Sequence, residues 1–153
     1  MSLQDRLYED MKKAMKAREA GKLRLSVIRM SRAALKNRAI ALGHDLTDEE
    51  TIEVLAKEVK MRRDALLEYQ NAGRQEKVAE LQSEIQILEE YLPQQLSKDE
   101  IMQLAQEVID SVKATNERDL GRVMGGLMPK VKGRADGKLI NQCVRVLLKS
   151  GNE

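Results

Sequence analysis

The first proline of the chain is Pro93, and the second and last is Pro129. Proline is the residue a helix interior tolerates least, because it lacks the backbone N–H and its ring clashes with the preceding turn. Long stretches are therefore free to be helical, and the apolar residues repeat accordingly. Leu3, Leu7, Met11 and Met15 recur every four positions, which is one helical face. Ala, Leu, Glu, Lys, Arg, Gln and Met fill most of the sequence, and these residues lose little side-chain freedom in a helix. Strand-favouring aromatics are nearly absent: there is no Phe, no Trp and three Tyr (Tyr8, Tyr69, Tyr91). The expected class is all-α.

Start and stop signals divide the chain. Ser2 can cap a first helix, with Asp5 as its acidic partner three residues on. Residues 18–22 interrupt it. A second helix places Leu23, Val27, Ile28 and Leu35 inward and ends at Gly43-His44. Thr47 followed by Asp48-Glu49-Glu50 starts a third, which buries Ile52, Leu55, Val59, Leu66 and Tyr69. Asn71-Ala72-Gly73 stops it. A fourth helix uses Val78, Leu81, Ile85, Leu88 and Leu92, and the short link makes the third and fourth an antiparallel hairpin. Leu92 to Ser97 is the expected boundary. This gives an N-terminal four-helix domain over residues 1–93 and a small three-helix C-terminal domain over 97–153. In the latter, Ser97 and Glu100 form a capping box before Ile101, Leu104, Val108 and Val112. Asp119 can cap a sixth helix that Pro129 should bend or end. Asp136 caps a seventh carrying Leu139, Ile140, Val144, Leu147 and Leu148, with Gly151 closing it.

Several function classes lack their residues. The lone Cys143 excludes an intramolecular disulfide and reads as a small buried apolar residue. The single His44 reads as a loop residue rather than a general base. One His and one Cys in different domains cannot make a multi-ligand site, so no metal and no cofactor is expected. Carboxylates such as Glu53, Asp64, Glu80 and Glu84 read as a solvated helical face. The opening residues have no apolar signal core, and no apolar run approaches the ~20 residues needed to span a bilayer. A cytoplasmic protein without a membrane partner is expected.

Charge is segregated. Residues 3–38 hold eleven Lys/Arg and four Asp/Glu, a net of +7. Residues 44–117 hold eight and eighteen, a net of −10, and residues 118–149 hold eight and two, a net of +6. The basic opening reads as the complement of the acidic hairpin. The basic tail reads equally as another complement of that hairpin or as a phosphate-binding surface.

Residues 118–141 are distinctive, with glycines at 121, 125, 126, 133 and 137. Each glycine inside a helix costs about 1 kcal/mol relative to alanine. Close packing of another helix onto Gly121, Gly125 and Gly126 is the favoured reason; approach of a sugar–phosphate chain is the other. Lys130, Lys132, Gly133 and Arg134 follow the proline, with Arg122 before it and Lys138 after it. A turn there would expose N–H groups beside cations and next to a helix N-terminus, which favours anions. The spacing is not that of a P-loop. Because no tyrosine lies in the basic tail, RNA contact would run through backbone and shape. That suits a structured RNA such as tRNA better than a single strand.

The run Val123-Met124-Gly125-Gly126-Leu127-Met128-Pro129-Lys130-Val131-Lys132-Gly133-Arg134-Ala135-Asp136-Gly137 closely resembles the signature of the YqeY family. So do Glu89 to Leu96 and the opening Leu3 to Met15, and the likeness spans essentially the whole chain. The last domain also resembles the C-terminal tail of GatB, a component of the amidotransferase that converts Glu-tRNA(Gln) or Asp-tRNA(Asn) to the amide form. The resemblance implies a tail module of a type that helps hold tRNA, with catalysis elsewhere. It also implies a nominal label of glutamine-dependent carbon–nitrogen ligase. Pro129 departs from the GatB pattern, where the helix continues at this place. The residues supply no catalytic set of their own. The expectation is a non-catalytic module contacting tRNA or another structured RNA through Arg122, Lys130, Lys132, Gly133, Arg134 and Lys138. The alternatives are an adaptor docking a protein of the translation or amidotransferase machinery and, less favoured, an amidotransferase activity of its own.

Overall fold

A computed structural model describes residues 1–150. They form seven α-helices: α1 (Leu3–Lys16), α2 (Lys22–Leu42), α3 (Asp48–Asn71), α4 (Gln75–Glu89), α5 (Lys98–Val112), α6 (Leu120–Val131) and α7 (Gly137–Ser150). Among the described residues there is no strand. The chain divides into two compact units, Met1–Pro93 and a second beginning at Gln94.

In the first unit the helix ends follow the side chains. Ser2 and Asp5 form a reciprocal capping box on α1, and Thr47 and Glu50 form another on α3. α2 stops where Gly43 takes the left-handed conformation at φ 79°. The α3–α4 link turns at Gly73, at φ 72°. The core is Leu7, Val27, Ile28, Leu35, Leu55, Val59, Leu88 and Tyr91.

Three expected placements need correction. Met15 is 49 % exposed and Leu23 is 37 % exposed, while Ala14 is buried. Each four-residue step overshoots a full helical turn by about 40°, so three steps carry Met15 well off the face that Leu3 began. The turn of 3₁₀ helix Arg18–Gly21 then docks against the α1 backbone beside Ala14. The third correction concerns Glu84, which is not on a solvated face. Arg62 is buried between α3 and α4, with Nη1 2.9 Å from Glu58 and Nε 3.4 Å from Glu84.

That pairing also revises the expected complement between basic opening and acidic hairpin. Arg24 does reach Glu90. His44 lies 3.6 Å from Glu50, and several pairs lie within the hairpin: Arg62 with Glu58 and Glu84, Arg63 with Glu89, and Lys77 with Glu80.

In the second unit α5, α6 and α7 enclose Ile101, Ala105, Val108, Val123, Leu127, Val131, Ile140, Cys143, Val144 and Leu148. Cys143 is a core residue, and burial pushes its thiol up. Ser97 and Glu100 cap α5 as a box. Asp119 does not cap α6 with its side chain; its carboxylate accepts instead from the Thr115 N–H at 2.9 Å. α6 runs through Pro129 to Val131, so the proline marks its last turn rather than its end. Asp136 does cap α7, accepting from the Lys138 N–H at 3.2 Å. Gly151 lies outside the described residues. No helix among them is long and apolar enough to cross a membrane.

Candidate nucleic-acid interface

The α6–α7 turn is built from backbone first. α6 ends when Lys132 leaves helical geometry at ψ 125°, and Gly133 then takes φ 73°. That left-handed conformation is cheap only for glycine among the residues here. The Arg134 N–H bonds back to the Val131 carbonyl at 2.8 Å, closing the turn. Residues just before α5 hold it from outside. The Leu96 N–H donates to the Arg134 carbonyl at 2.8 Å, and Gln95 Nε2 donates to the Gly133 carbonyl at 3.0 Å. Arg134 Nε donates to the Gln94 carbonyl at 3.2 Å. Gln94, Gln95 and Leu96 therefore act as a brace for the turn. In the sequence they read as a link, and no residue type among them signals the bond.

This turn gathers five of the six expected residues. Lys130 stands exposed in the last turn of α6, and Lys132 is its exposed C-terminal flank. Gly133 and Arg134 form the turn, and Lys138 is exposed in the first turn of α7. Arg122 is separate, about 12 Å from Lys130 along the helix axis at 1.5 Å per residue. It pairs with Asp119 at 3.2 Å. The Thr115 N–H, and after it Arg122, hold the Asp119 carboxyl below its ordinary range. Arg134 is committed in part, since its Nε serves the brace. Lys130 engages no acid among the described residues.

Of the three glycines of α6, one does what close packing requires and two do not. A Cβ at Gly126 would meet Val108 Cγ1 at 3.0 Å, so this glycine does admit α5. At Gly121 and Gly125 a Cβ would meet nothing within 4 Å, and both residues are exposed. Gly121, Gly125 and Pro129 lie four residues apart, on the side of α6 away from the buried Val123, Leu127 and Val131. The result is an outward strip of bare backbone. Pro129 has no N–H to give the Gly125 carbonyl, so that oxygen lacks its usual helical donor.

Among the described residues no group of three or more His, Cys, Asp or Glu could hold a metal ion.

An all-α chain whose second unit is a three-helix module with a glycine-faced central helix is the class that this architecture defines. The chain belongs to the Yqey-like protein family, which it matches over residues 4–148. It is 28% identical over 132 residues to "Altered inheritance of mitochondria protein 41, mitochondrial" of Pyrenophora tritici-repentis, covering 85% of this chain and 71% of that protein. It is 40% identical over 65 residues to a glutamyl-tRNA(Gln) amidotransferase component of Thermococcus sibiricus. That match covers 40% of this chain and spans only 10% of that protein.

Proposed function

We propose that the second unit is a non-catalytic docking module for structured RNA, with tRNA as the favoured ligand. The observation that carries this reading is the exposed Gly121–Gly125 strip, whose helix cost no packing partner explains. A face without side chains lets a sugar–phosphate chain reach the helix backbone. The Gly125 carbonyl, which has no Pro129 N–H to accept from, would accept from a ribose 2′-OH, the group that separates RNA from DNA. Lys130, Lys132, Arg134 and Lys138 would neutralise phosphates at the α6–α7 turn, and Arg122 would do so beside the strip. Similarity to part of a glutamyl-tRNA(Gln) amidotransferase supports tRNA as the ligand and amidotransferase chemistry as the setting.

The test is equilibrium binding of a transcribed tRNA across a salt series. Affinity should fall steeply as salt rises, and replacing Lys130, Lys132, Arg134 and Lys138 together by Ala should flatten that slope by about four. Unchanged affinity in the fourfold variant would defeat the reading. Retention of a protein partner from nuclease-treated extract, with no tRNA affinity, would favour the adaptor instead.

A further inference from the structure

α2 carries six cations and no acid over its 21 residues. They fall into two groups by their place around the helix. Arg24 and Arg38 lie toward neighbouring elements; Arg24 pairs with Glu90, and Arg38 lies within the field of Glu50. Lys22, Arg29, Arg32 and Lys36 lie on the outer side, away from the buried Val27, Ile28, Ser31 and Leu35. Among the described residues none of these four forms an ion pair with an acid. Lys22, Arg29 and Lys36 sit at steps of seven, which is two helical turns, so they align along one edge about 10.5 Å apart. Such a row presents a line of positive charge to solvent, which a polyanion with a matching line of charge would neutralise.

Beside this row stands the one tyrosine of the first unit that belongs to its basic helices. Tyr8 on α1 is 44 % exposed. The Arg32 guanidinium carbon lies 5.0 Å from its ring centroid, and Lys12 Nζ lies 4.8 Å from it. A cleft of about 740 Å³ opens there, lined by Tyr8, Arg32 and Lys36 with the apolar Leu35 and Leu46. Two acids, Asp5 and Asp45, also line it, and the Asp5 carboxylate is held by Ser2 in the α1 cap. An exposed aromatic set among arginine and lysine is the arrangement that stacks an unpaired base while cations hold its phosphates. An acidic protein surface would use the cations too; a ring with a guanidinium beside it favours a base, whose π-face can stack on it.

We propose that the outer face of α2 is a second RNA-binding surface, in which Lys22, Arg29 and Lys36 grip the phosphate backbone and Tyr8 with Arg32 receives one unpaired base. It lies wholly within the first unit and does not depend on the cations of the second.

The experiment titrates the full chain with a transcribed tRNA across a salt series. The first variant carries Lys22→Ala, Arg29→Ala and Lys36→Ala. These are exposed helical positions where Ala keeps the helix, and circular dichroism checks the fold. The triple variant should lose tenfold or more in affinity at low salt, and its slope of log affinity against log salt should fall by about three. Tyr8→Ala should weaken binding at least roughly fivefold, and Tyr8→Phe should restore it. An unchanged slope in the triple variant overturns the proposal. So does loss of binding to phosphatidylserine vesicles, or to an acidic peptide, with tRNA affinity intact. The fourfold variant of the second unit separates this face from the function proposed above. Residual tRNA binding that the added triple substitution removes supports α2. No residual binding in the fourfold variant, with affinity and slope unchanged in the triple, overturns α2 and leaves the second unit's role standing. Full binding in the fourfold variant, lost in the triple, removes the second unit's role and upholds α2.

Discussion

Arg62 on α3 and Glu84 on α4 form an ion pair at 3.4 Å with the guanidinium almost fully buried. Glu58, one turn before Arg62, takes the other side at 2.9 Å, and the Glu58 carbonyl accepts at 3.1 Å. A charge taken this far from water is sustained by its partners, so removing it leaves two carboxylates facing each other across the hairpin. Arg62→Ala should cost about 3 kcal/mol, and Glu84→Gln, which keeps an acceptor in place, should cost less. Urea unfolding followed by circular dichroism measures both. Equal and small losses would mean that the cluster is only a solvated surface.

Glycines that look alike in the sequence should respond oppositely to alanine. A Cβ on Gly21 would lie 2.2 Å from the Ala14 carbonyl oxygen, and backbone cannot yield as a side chain can. Gly21→Ala should therefore destabilise by roughly 1–3 kcal/mol through forced separation of the 3₁₀ turn from α1. At Gly125 nothing lies within 4 Å, so Gly125→Ala should stabilise by up to about 1 kcal/mol. The same substitution should weaken tRNA binding if the bare strip is a contact. A variant that gains stability while losing affinity cannot be explained by misfolding.

The Tyr91 hydroxyl donates to the Asp10 carboxylate within the first core, and the Arg6 guanidinium lies 4.7 Å from the ring centroid. Burial, and after it the hydrogen bond to Asp10, raises the phenol well above its ordinary 10.0. Above pH 10 the unfolded chain therefore releases this proton while the folded chain keeps it. Stability from this group is complete below about pH 10 and declines as pH rises further. Glu90 has the opposite sign: Arg24 lowers its carboxyl from 4.5, so its share is present above that value and fades as pH falls through the lowered one. Urea midpoints should drop between pH 9.5 and 11, taken as roughly the flanks of a phenol titration. In Tyr91→Phe the drop should be shallower. An equal drop in the variant would assign the alkaline loss to other groups.

How much of this could be read from the chain depends on the range of the interaction. Caps are local, and Ser2, Thr47, Ser97 and Asp136 all lie at the helix starts that the sequence indicated. Gly43 and Gly73 were legible for the same reason, since each needs only its own positive φ. Met15 was misplaced because a repeat of four is not the helical period, and Leu23 because it stands in the first turn of α2, to one side of the buried Val27, Ile28 and Leu35. Glu84 was misread because its partner, Arg62, is 22 positions away and lies on another helix. At the α6–α7 turn the residue types announced cations and a turn. They did not announce the Gln94–Leu96 brace, whose bonds to Gly133 and Arg134 join positions 38 or more apart. The α6 glycines carried two readings in sequence, and only packing separates Gly126, which meets Val108, from Gly121 and Gly125, which meet nothing.

Pro129 sits in the last turn of a helix that continues past it to Val131. Its ring occupies the space where an N–H would reach the Gly125 carbonyl, and it presses on the preceding turn. Pro129→Ala would restore that hydrogen bond and relieve the clash, offset in part by a freer unfolded chain. A net gain of roughly 1–2 kcal/mol is expected from helix propensity alone. The consequence for binding is separate. If the Gly125 oxygen accepts from a ribose 2′-OH, the parent chain should prefer an RNA hairpin to the DNA hairpin of the same sequence. Pro129→Ala, by satisfying that oxygen internally, should narrow the preference while leaving the salt slope unchanged, because no cation is lost. Competition titrations with the two hairpins at one salt concentration would measure the ratio. An undiminished ratio in the variant would remove the carbonyl from the interface and leave the lysines and arginines as the sole basis for RNA contact.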